Sequence, residues 1–362
     1  MRVGVLGGGQ LAQMMAQAGK SMDCSFTFLD PSPTACAFEW GDSICGAYDD
    51  PKLLKKLAQA SDVVTFEFEN VPHTSVEILS EHVKISPSSL SLETSQDRLK
   101  EKNTFRHLSI PTTKFAEING PEDLKHALSI VGLPSVLKTR SQGYDGKGQK
   151  VLQSKNDVES AWEELGAKPM ILEEFISFDR EISIIAVRDQ KDNIKYYDIC
   201  ENEHEHGILK FTQNRQNDPL ADKAQGYAKK LLEHMKYVGV FTLELFQKGD
   251  GLFANEMAPR VHNSGHWTIE GAKTSQFENH LRAILNMPLG NTQSKNFSIM
   301  ANLIGTIPNL RELEKIRGAY VHIYGKEPRS RRKLGHITFG NDKITDSKSL
   351  MERLRKMTFI SL

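Results

Sequence analysis

The chain has 362 residues, with 46 Lys and Arg balanced by 46 Asp and Glu, so its formal net charge is zero. That balance gives no global field toward nucleic acid or a membrane surface, and 39 % hydrophobic with 25 % charged residues is ordinary for a soluble chain of two or three domains. Four cysteines (Cys24, Cys36, Cys45, Cys200) without CxxC spacing, no leader and no long apolar run point to a cytoplasmic protein, neither exported nor membrane-spanning.

Residues 1–95 alternate strand and helix. RVGVL runs into Gly7-Gly8-Gly9, and Leu11 to Lys20 has helical spacing. CSFTFLD is a second strand, and a helix over 51–60 leads into DVVTFEFEN. Pro72 opens another helix, and HVKISP reads as one more short strand. This pattern predicts a Rossmann-like parallel α/β unit with ligands beyond the carboxyl ends of its strands. Gly7-x-Gly9-x-x-Ala12, with Asp30 closing the second strand, matches a dinucleotide fingerprint, so a nicotinamide oxidoreductase is one reading. The same amides at a helix N-terminus would bind any phosphate, and a mononucleotide phosphate is preferred. Glu67, Glu69 and Asn70 end the next strand, where a polar ligand would be gripped unless they are simply solvated.

QDRLKEKNTFRHL then reads as a charged amphipathic helix with most of its charges on a solvated face. The strand PTTKFAEI, a helix over 122–131 and the strand PSVLK follow. TRSQGYDGKGQK places Gly143, Gly146 and Gly148 around Lys147. It is no Walker A loop, but its amides suit a flap over phosphates; a plain hairpin loop is the alternative. KPMILEEF gives a strand ending in Glu173-Glu174, whose linker offers amide and carbonyl groups to a base edge. In ENEHEH, His204 and His206 alternate along an extended segment, which argues against zinc.

After a helix over 219–236, two apolar runs at 240–246 and 252–257 flank KGDG, an antiparallel hairpin signal. With the turn centred near Asp250, Glu244 falls opposite Glu256. Facing carboxylates repel, and two oxygen ligands without Cys or His suit Mg²⁺ or Mn²⁺ between them. Arg260-Val-His-Asn-Ser264 supplies donors for an anion beside that metal. The tail holds FSIMANLIG, a short helix, GAYVHIYG and Lys326-EPRSRRK, with five basic residues in eight, then GHITFG and a last helix. In a neutral chain that run is a local phosphate grip in preference to a nucleic-acid patch.

LEEF…DREISII, LELF…NEMAPRVHNSGHWT and SQGYDGKGQ resemble the ATP-grasp superfamily. With GGGQLAQM, TFEFENV and SRRKLGHIT, the whole chain in order resembles its 5-(carboxyamino)imidazole ribonucleotide synthetase family, in the stand-alone form without the fungal fusion partner. Ala12-Gln13 departs from the glycine and arginine expected after GGGQL, which blurs the first phosphate site. The resemblance implies a Rossmann-like pre-ATP-grasp domain (1–95), a small lid domain with the flap (96–172), a catalytic lobe (173–296) and a C-terminal domain completing the substrate site (297–362). It implies a cytoplasmic, homodimeric ligase of purine biosynthesis. That ligase carboxylates 5-aminoimidazole ribonucleotide with bicarbonate, releasing ADP and phosphate via carboxyphosphate. No nucleic acid or membrane partner is expected.

Carried over residue by residue, ATP would meet Arg98, Lys138, Gly143, Tyr144, Asp145, Gly146, Lys147, Gly148, Gln149, Glu173, Glu174, Phe175, Ile176, Glu181, His204, Asn255 and Glu256. Glu244 and Glu256 would hold Mg²⁺. The ribonucleotide would lie between Gly8, Gln10 and Leu11 and the tail's Lys326, Arg332 and Lys333, near Glu67 and Asn70. Tyr144, Asp145, Arg260, His262, Asn263 and Ser264 would surround bicarbonate, with Lys326 also taking part in the chemistry. A sister ATP-grasp enzyme using formate or an amino acid, and a non-catalytic nucleotide-binding module, are the other readings.

Overall fold

The computed structural model describes residues 1–141, 143, 147–309, 318–340, 351–352 and 354–355, with nothing said of the Glu159 side chain. Tyr144, Asp145 and Gly146, the short helix expected before GAYVHIYG and most of the closing helix lie outside these residues.

The first layer is a parallel sheet in the order β3-β2-β1-β4, built from β1 (Arg2–Leu6), β2 (Ser25–Asp30), β3 (Asp42–Cys45) and β4 (Val63–Phe66). Its central strands β1 and β2 are buried on both faces, which is why they read as largely apolar runs. Helices α1 (Gln10–Gly19), α2 (Pro51–Gln59), α3 (His73–Ser80) and α4 (Ser89–Gln96) complete the layer. In α2, Asp50 accepts from the amides of Lys52 and Leu53, Pro51 opens the first turn, and Leu54, Leu57 and Ala58 face the core. β3 has no sequence signal because only Ile44 of its four residues is buried. HVKISP is not a strand; Ile85 alone bridges Val64, and α4 follows.

The lid sheet runs β5-β8-β6-β7, from β5 (Phe115–Ile118), β6 (Ser135–Thr139), β7 (Gln149–Leu152) and β8 (Met170–Glu174). Before it comes α5 (Arg98–His107), capped by Asp97, and across it pack α6 (Asp123–Val131) and α7 (Asp157–Glu164). The glycine-rich segment falls in the chain between β6 and β7, which pair antiparallel with Lys138 opposite Gln149. Gly148 sits at φ +71°, where its missing Cβ spares a 2.7 Å clash with the Thr139 hydroxyl.

The remaining strands form one nine-stranded antiparallel sheet. They are β9 (Arg180–Arg188), β10 (Ile194–Tyr196), β11 (Ile199–Glu205), β12 (Ile208–Arg215), β13 (Gly239–Lys248), β14 (Gly251–Ala258), β15 (Ser298–Ile304), β16 (Ala319–Ile323) and β17 (Lys333–Gly340). The order is β14-β13-β9-β11-β12-β15-β17-β16, with β10 on β9. Helix α8 (Ala221–His234) covers one face around Phe241 and Leu243. The short α9 (Thr268–Gly271) and α10 (Gln276–Ile284) pack with Trp267 against the other and join it to α1. A hydrogen-bonded sheet therefore crosses residue 297, where a separate C-terminal domain is expected to begin.

Candidate active site

One cleft of about 1350 Å³ opens where the three sheets meet. β13 and β14 place Glu244 directly opposite Glu256, as the alternation of the two strands predicts. The route differs from a plain hairpin. Lys248 pairs with Gly251 around a Gly249-Asp250 turn, which would set Glu244 against Asn255. A register shift after Glu244 leaves Asn255 as an extra residue and brings Glu256 into line. The carboxylates share one face of the hairpin and both line the cleft.

Each already has a cationic or donor neighbour. Glu256 Oε2 accepts from Arg98 Nη1 at 3.0 Å, and Glu244 Oε1 lies 2.9 Å from His262 Nε2. Burial pushes the Glu244 carboxyl up, but the His262 hydrogen bond and surrounding positive charge bring it down to about 2, so it stays ionised. Two carboxylates opening on a large cleft fit a hard divalent cation that takes its remaining ligands from phosphate and water. Among the described residues, no group of three or more His, Cys, Asp or Glu side chains is arranged to hold a metal by itself. His206 lies outside β11, in the turn after it, while His204 is bonded to Glu181.

The floor of the cleft departs from the solvated helix expected for 96–108. Lys100, Asn103, Arg106 and His107 do face water, but Glu101 and Lys102 are 2 % and 1 % exposed, because their side of α5 packs against β14. Lys102 and Lys138 both reach Glu173 at 3.1 Å, so this carboxylate holds two lysines and is not a free acceptor for a ligand. Glu101 accepts from the Met257 amide at 2.6 Å, tying α5 to the residue beside Glu256. Nearby, Phe178 stacks on Phe246 with ring centroids 4.7 Å apart, beside the cleft-lining Glu174, Phe175 and Ile176.

The glycine-rich start of α1 is the largest correction. Glu67 reaches back from the end of β4 and accepts from the amides of Gly9 (2.6 Å), Leu11 (3.2 Å) and Ala12 (3.1 Å), while Gly8 N–H donates to Asp30 at 2.8 Å. The amides expected to take a phosphate are capped by the protein's own carboxylates. A Cβ on Gly9 would stand 2.3 Å from Glu67 Oε1, so glycine is required here for the cap's approach. Gly8 consequently does not line the cleft, although Gln10, Leu11, Glu67 and Asn70 do.

From the opposite side, Lys326 is bonded to Gln10, and burial pushes its ammonium pKa down. Arg329, Arg332 and Lys333 line the same wall, so chain start and tail meet as expected. Arg260 forms a two-pronged pair with Glu69, the second contact at 3.0 Å. Ser264, expected on the reacting anion, is fully buried; its hydroxyl lies 2.8 Å from His262 Nδ1 and 2.8 Å from Ser183 Oγ. Because the Ser264 amide also donates to Nδ1, the ring carries its proton on Nε2, toward Glu244. Arg98, Lys138, Gly143, Lys147, Gln149, Glu173, Glu181, His204, Asn255, Arg260, His262 and Asn263 line the cleft; Gly148 does not. Among the functional neighbours not singled out from sequence, Lys102, Glu101 and Ser183 carry no local motif.

Residues 103–277 match the ATP-grasp domain family, 1–96 the ribonucleotide synthetase preATP-grasp domain, and 298–357 the phosphoribosylaminoimidazole carboxylase C-terminal domain. The chain is 45 % identical over 357 residues to the N5-carboxyaminoimidazole ribonucleotide synthase of Pseudomonas aeruginosa, covering 99 % of this chain and 98 % of that one. The crystal structure of the Thermus thermophilus N5-carboxyaminoimidazole ribonucleotide synthetase superposes with TM-score 0.92 at 46 % identity, covering 98 % and 96 % of the two chains. The Aspergillus clavatus N5-carboxyaminoimidazole synthase, solved with ADP and 5-aminoimidazole ribonucleotide, superposes with TM-score 0.89 at 30 % identity over 98 % and 99 %. With identity of this order carried from end to end, the chain belongs to the N5-carboxyaminoimidazole ribonucleotide synthase family of ATP-grasp enzymes.

Proposed function

We propose that the chain joins bicarbonate to the exocyclic amine of 5-aminoimidazole ribonucleotide at the expense of ATP, as a cytoplasmic homodimeric ligase of purine biosynthesis. The observation that carries this reading is the facing pair Glu244 and Glu256, set between the buried lysines of the lid and the donor run at Arg260–Asn263 in one cleft.

ATP lies with its base near Glu174–Ile176 and the Phe178–Phe246 stack, and its phosphates toward Arg98, Lys138 and Lys147. Glu244 and Glu256 would hold Mg²⁺, which when bound would neutralise charge on the transferring phosphoryl group. Arg98 and Lys138 add fixed positive charge, and Glu173 keeps Lys138 aimed. A bicarbonate oxygen forms the new bond to the γ-phosphorus as the bond to ADP breaks. Arg260, held by Glu69, retains N–H groups for the resulting carboxyphosphate, and Asn263 faces the same space. The ribonucleotide amine then bonds to the carboxyl carbon, inorganic phosphate departs, and the amine gives up a proton. Lys326, Arg332 and Lys333 grip the ribonucleotide phosphate opposite Gln10. The segment between β6 and β7 would shield the intermediate from water.

The test is ADP release by the purified chain, run with and without bicarbonate and ribonucleotide, using ¹⁸O-labelled bicarbonate. Release should need both substrates, and phosphate should carry label, because the attacking bicarbonate oxygen stays on phosphorus. Unlabelled phosphate, or turnover supported by formate, would overturn the reading. Glu256→Gln should fold and lose activity by at least about 100-fold, the upper end of what removing a metal-site partner costs; normal turnover at ordinary Mg²⁺ would dismiss the carboxylate pair.

A further inference from the structure

We infer that Asn302, on β15, is a positioning residue that fixes which end of the Asn263 amide faces the reacting anion. This role rests on the carboxylation reading above. Asn302 is fully buried and stands behind the cleft wall. Its Nδ2 donates to the Leu209 carbonyl on β12 at 2.8 Å and to Asn263 Oδ1 at 2.7 Å, while its Oδ1 accepts from Asn263 Nδ2 at 3.0 Å.

Two amides paired in this reciprocal way could be turned over together without changing shape, so the pair by itself leaves the orientation open. Leu209 removes that freedom. A carbonyl oxygen only accepts, so the Asn302 atom facing it must be nitrogen. Both hydrogens of that nitrogen are then committed, one to Leu209 and one to Asn263. Asn263 must therefore meet Asn302 with its own carbonyl oxygen, and its Nδ2 spends one hydrogen on Asn302 Oδ1. The second Nδ2 hydrogen remains for the cleft that Asn263 lines. A donor there suits bicarbonate and carboxyphosphate; a carbonyl oxygen would repel both.

The assignment separates binding from chemistry. Asn302 lies away from Arg98, Lys138 and the phenylalanine stack, so its loss should leave ATP binding intact. A misaimed donor at the reacting anion should instead lower kcat, since small displacements of positioning groups cost up to about 100-fold. Asn302→Ala removes the pair but leaves the Leu209 carbonyl without a partner in the interior. Asn302→Asp keeps the volume but offers only acceptors, so it too leaves the Leu209 carbonyl without a donor and can no longer hold Asn263 Oδ1, and the amide is free to turn its oxygen to the cleft.

The experiment measures kcat, the KM for ATP and for bicarbonate, and Tm for the unsubstituted chain, Asn302→Ala, Asn302→Asp, Asn263→Ala and the Asn263→Ala/Asn302→Ala double variant. Each Asn302 variant should lose roughly 10- to 100-fold in kcat, with the ATP KM within about twofold of the unsubstituted value. Asn302→Ala should add almost nothing once Asn263 is alanine, because a residue acting only through another has no effect in its absence. If neither Asn302→Ala nor Asn302→Asp folds, Asn302→Ser, whose hydroxyl can still donate to the Leu209 carbonyl, with the same kinetic split decides the question. Unchanged kcat in Asn302→Asp, or costs in the double variant that multiply as for independent sites, would overturn the role. Loss of bicarbonate dependence in the unsubstituted chain would instead overturn the functional reading beneath it.

Discussion

Burial pushes the Glu101 carboxyl up to about 8, with the Glu256 charge acting in the same direction. Burial pushes on Glu173 too, but Lys102, then Lys138 and Arg98, bring it down to about 2. The two carboxylates on one cleft floor therefore bias stability in opposite senses. A folded-state pKa above the ordinary glutamate value means the native chain holds a proton that the unfolded chain has released. Glu101 thus favours the fold fully below about pH 4.5, and that contribution fades as pH rises through about 8. Glu101→Gln should keep an acceptor for the Met257 amide and remove the slope. Chemical unfolding at pH 5.5 and 8 should show the variant gaining relative to the unsubstituted chain, by at most about 1.4 kcal/mol per pH unit. Equal differences at both pH values would contradict a protonated Glu101. These residues also mark what the sequence conceals. Glu244 and Glu256 are legible as cleft-facing strand residues because strand alternation is local, although the turn alone would count Glu244 against Asn255. Glu101 and Lys102 sit in a charged run that looks solvated, and only the packing of α5 on β14 makes them interior.

A similar limit holds for whole elements. The glycines before α1 carry the spacing of a phosphate loop, and the helix behind them is where that spacing predicts. What cannot be read locally is that Glu67, 58 residues after Gly9, fills the amide cradle. Gly9→Ala tests the arrangement directly, because its methyl would stand 2.3 Å from Glu67 Oε1. The carboxylate must withdraw and α1 loses its cap, at a cost of about 1–3 kcal/mol for overpacking. Thermal unfolding should record a lower Tm; an unchanged Tm would show that the cap is dispensable. The β13–β14 hairpin teaches the converse lesson. Its facing carboxylates are predictable, yet the agreement depends on the extra residue at Asn255, which no turn signal announces.

At the scale of the molecule, the first layer and the catalytic lobe meet at a buried histidine. His280 Nδ1 accepts from the Val240 amide at 3.1 Å, so its proton sits on Nε2, 2.9 Å from Thr65 Oγ1 on β4. Burial holds this ring down to about 4, and His266 and His336 are likewise kept neutral, well below the ordinary histidine value. A depressed base supports the fold above about pH 6.5 and loses that support as pH falls toward the folded value. Stability should therefore decline from pH 7 to pH 5, and less steeply in His280→Gln, as read by urea midpoints. Parallel declines would remove His280 from the account. The order of layers was legible throughout, since alternating strand and helix patterns predict a parallel sheet and successive strands an antiparallel one. The joints were not, because they pair residues such as Thr65 and His280 that lie 215 positions apart.

The unbroken sheet across residue 297 has a consequence for any attempt to divide the chain. β12 is paired with β15 through Phe211, Thr212 and Gln213, so severing the polypeptide there does not release a detachable module. It bares a long interior strand whose amides and carbonyls would seek any other strand in solution. Residues 1–297 produced alone should self-associate and precipitate. Supplying residues 298–362 as a second polypeptide should restore solubility by reannealing the missing seam. A soluble, monomeric fragment of 1–297 would mean that the tail is an appendage. Precipitation relieved by the second polypeptide would mean that it is woven in, and that this part of the chain can be exchanged among relatives only together with the strand it lies against.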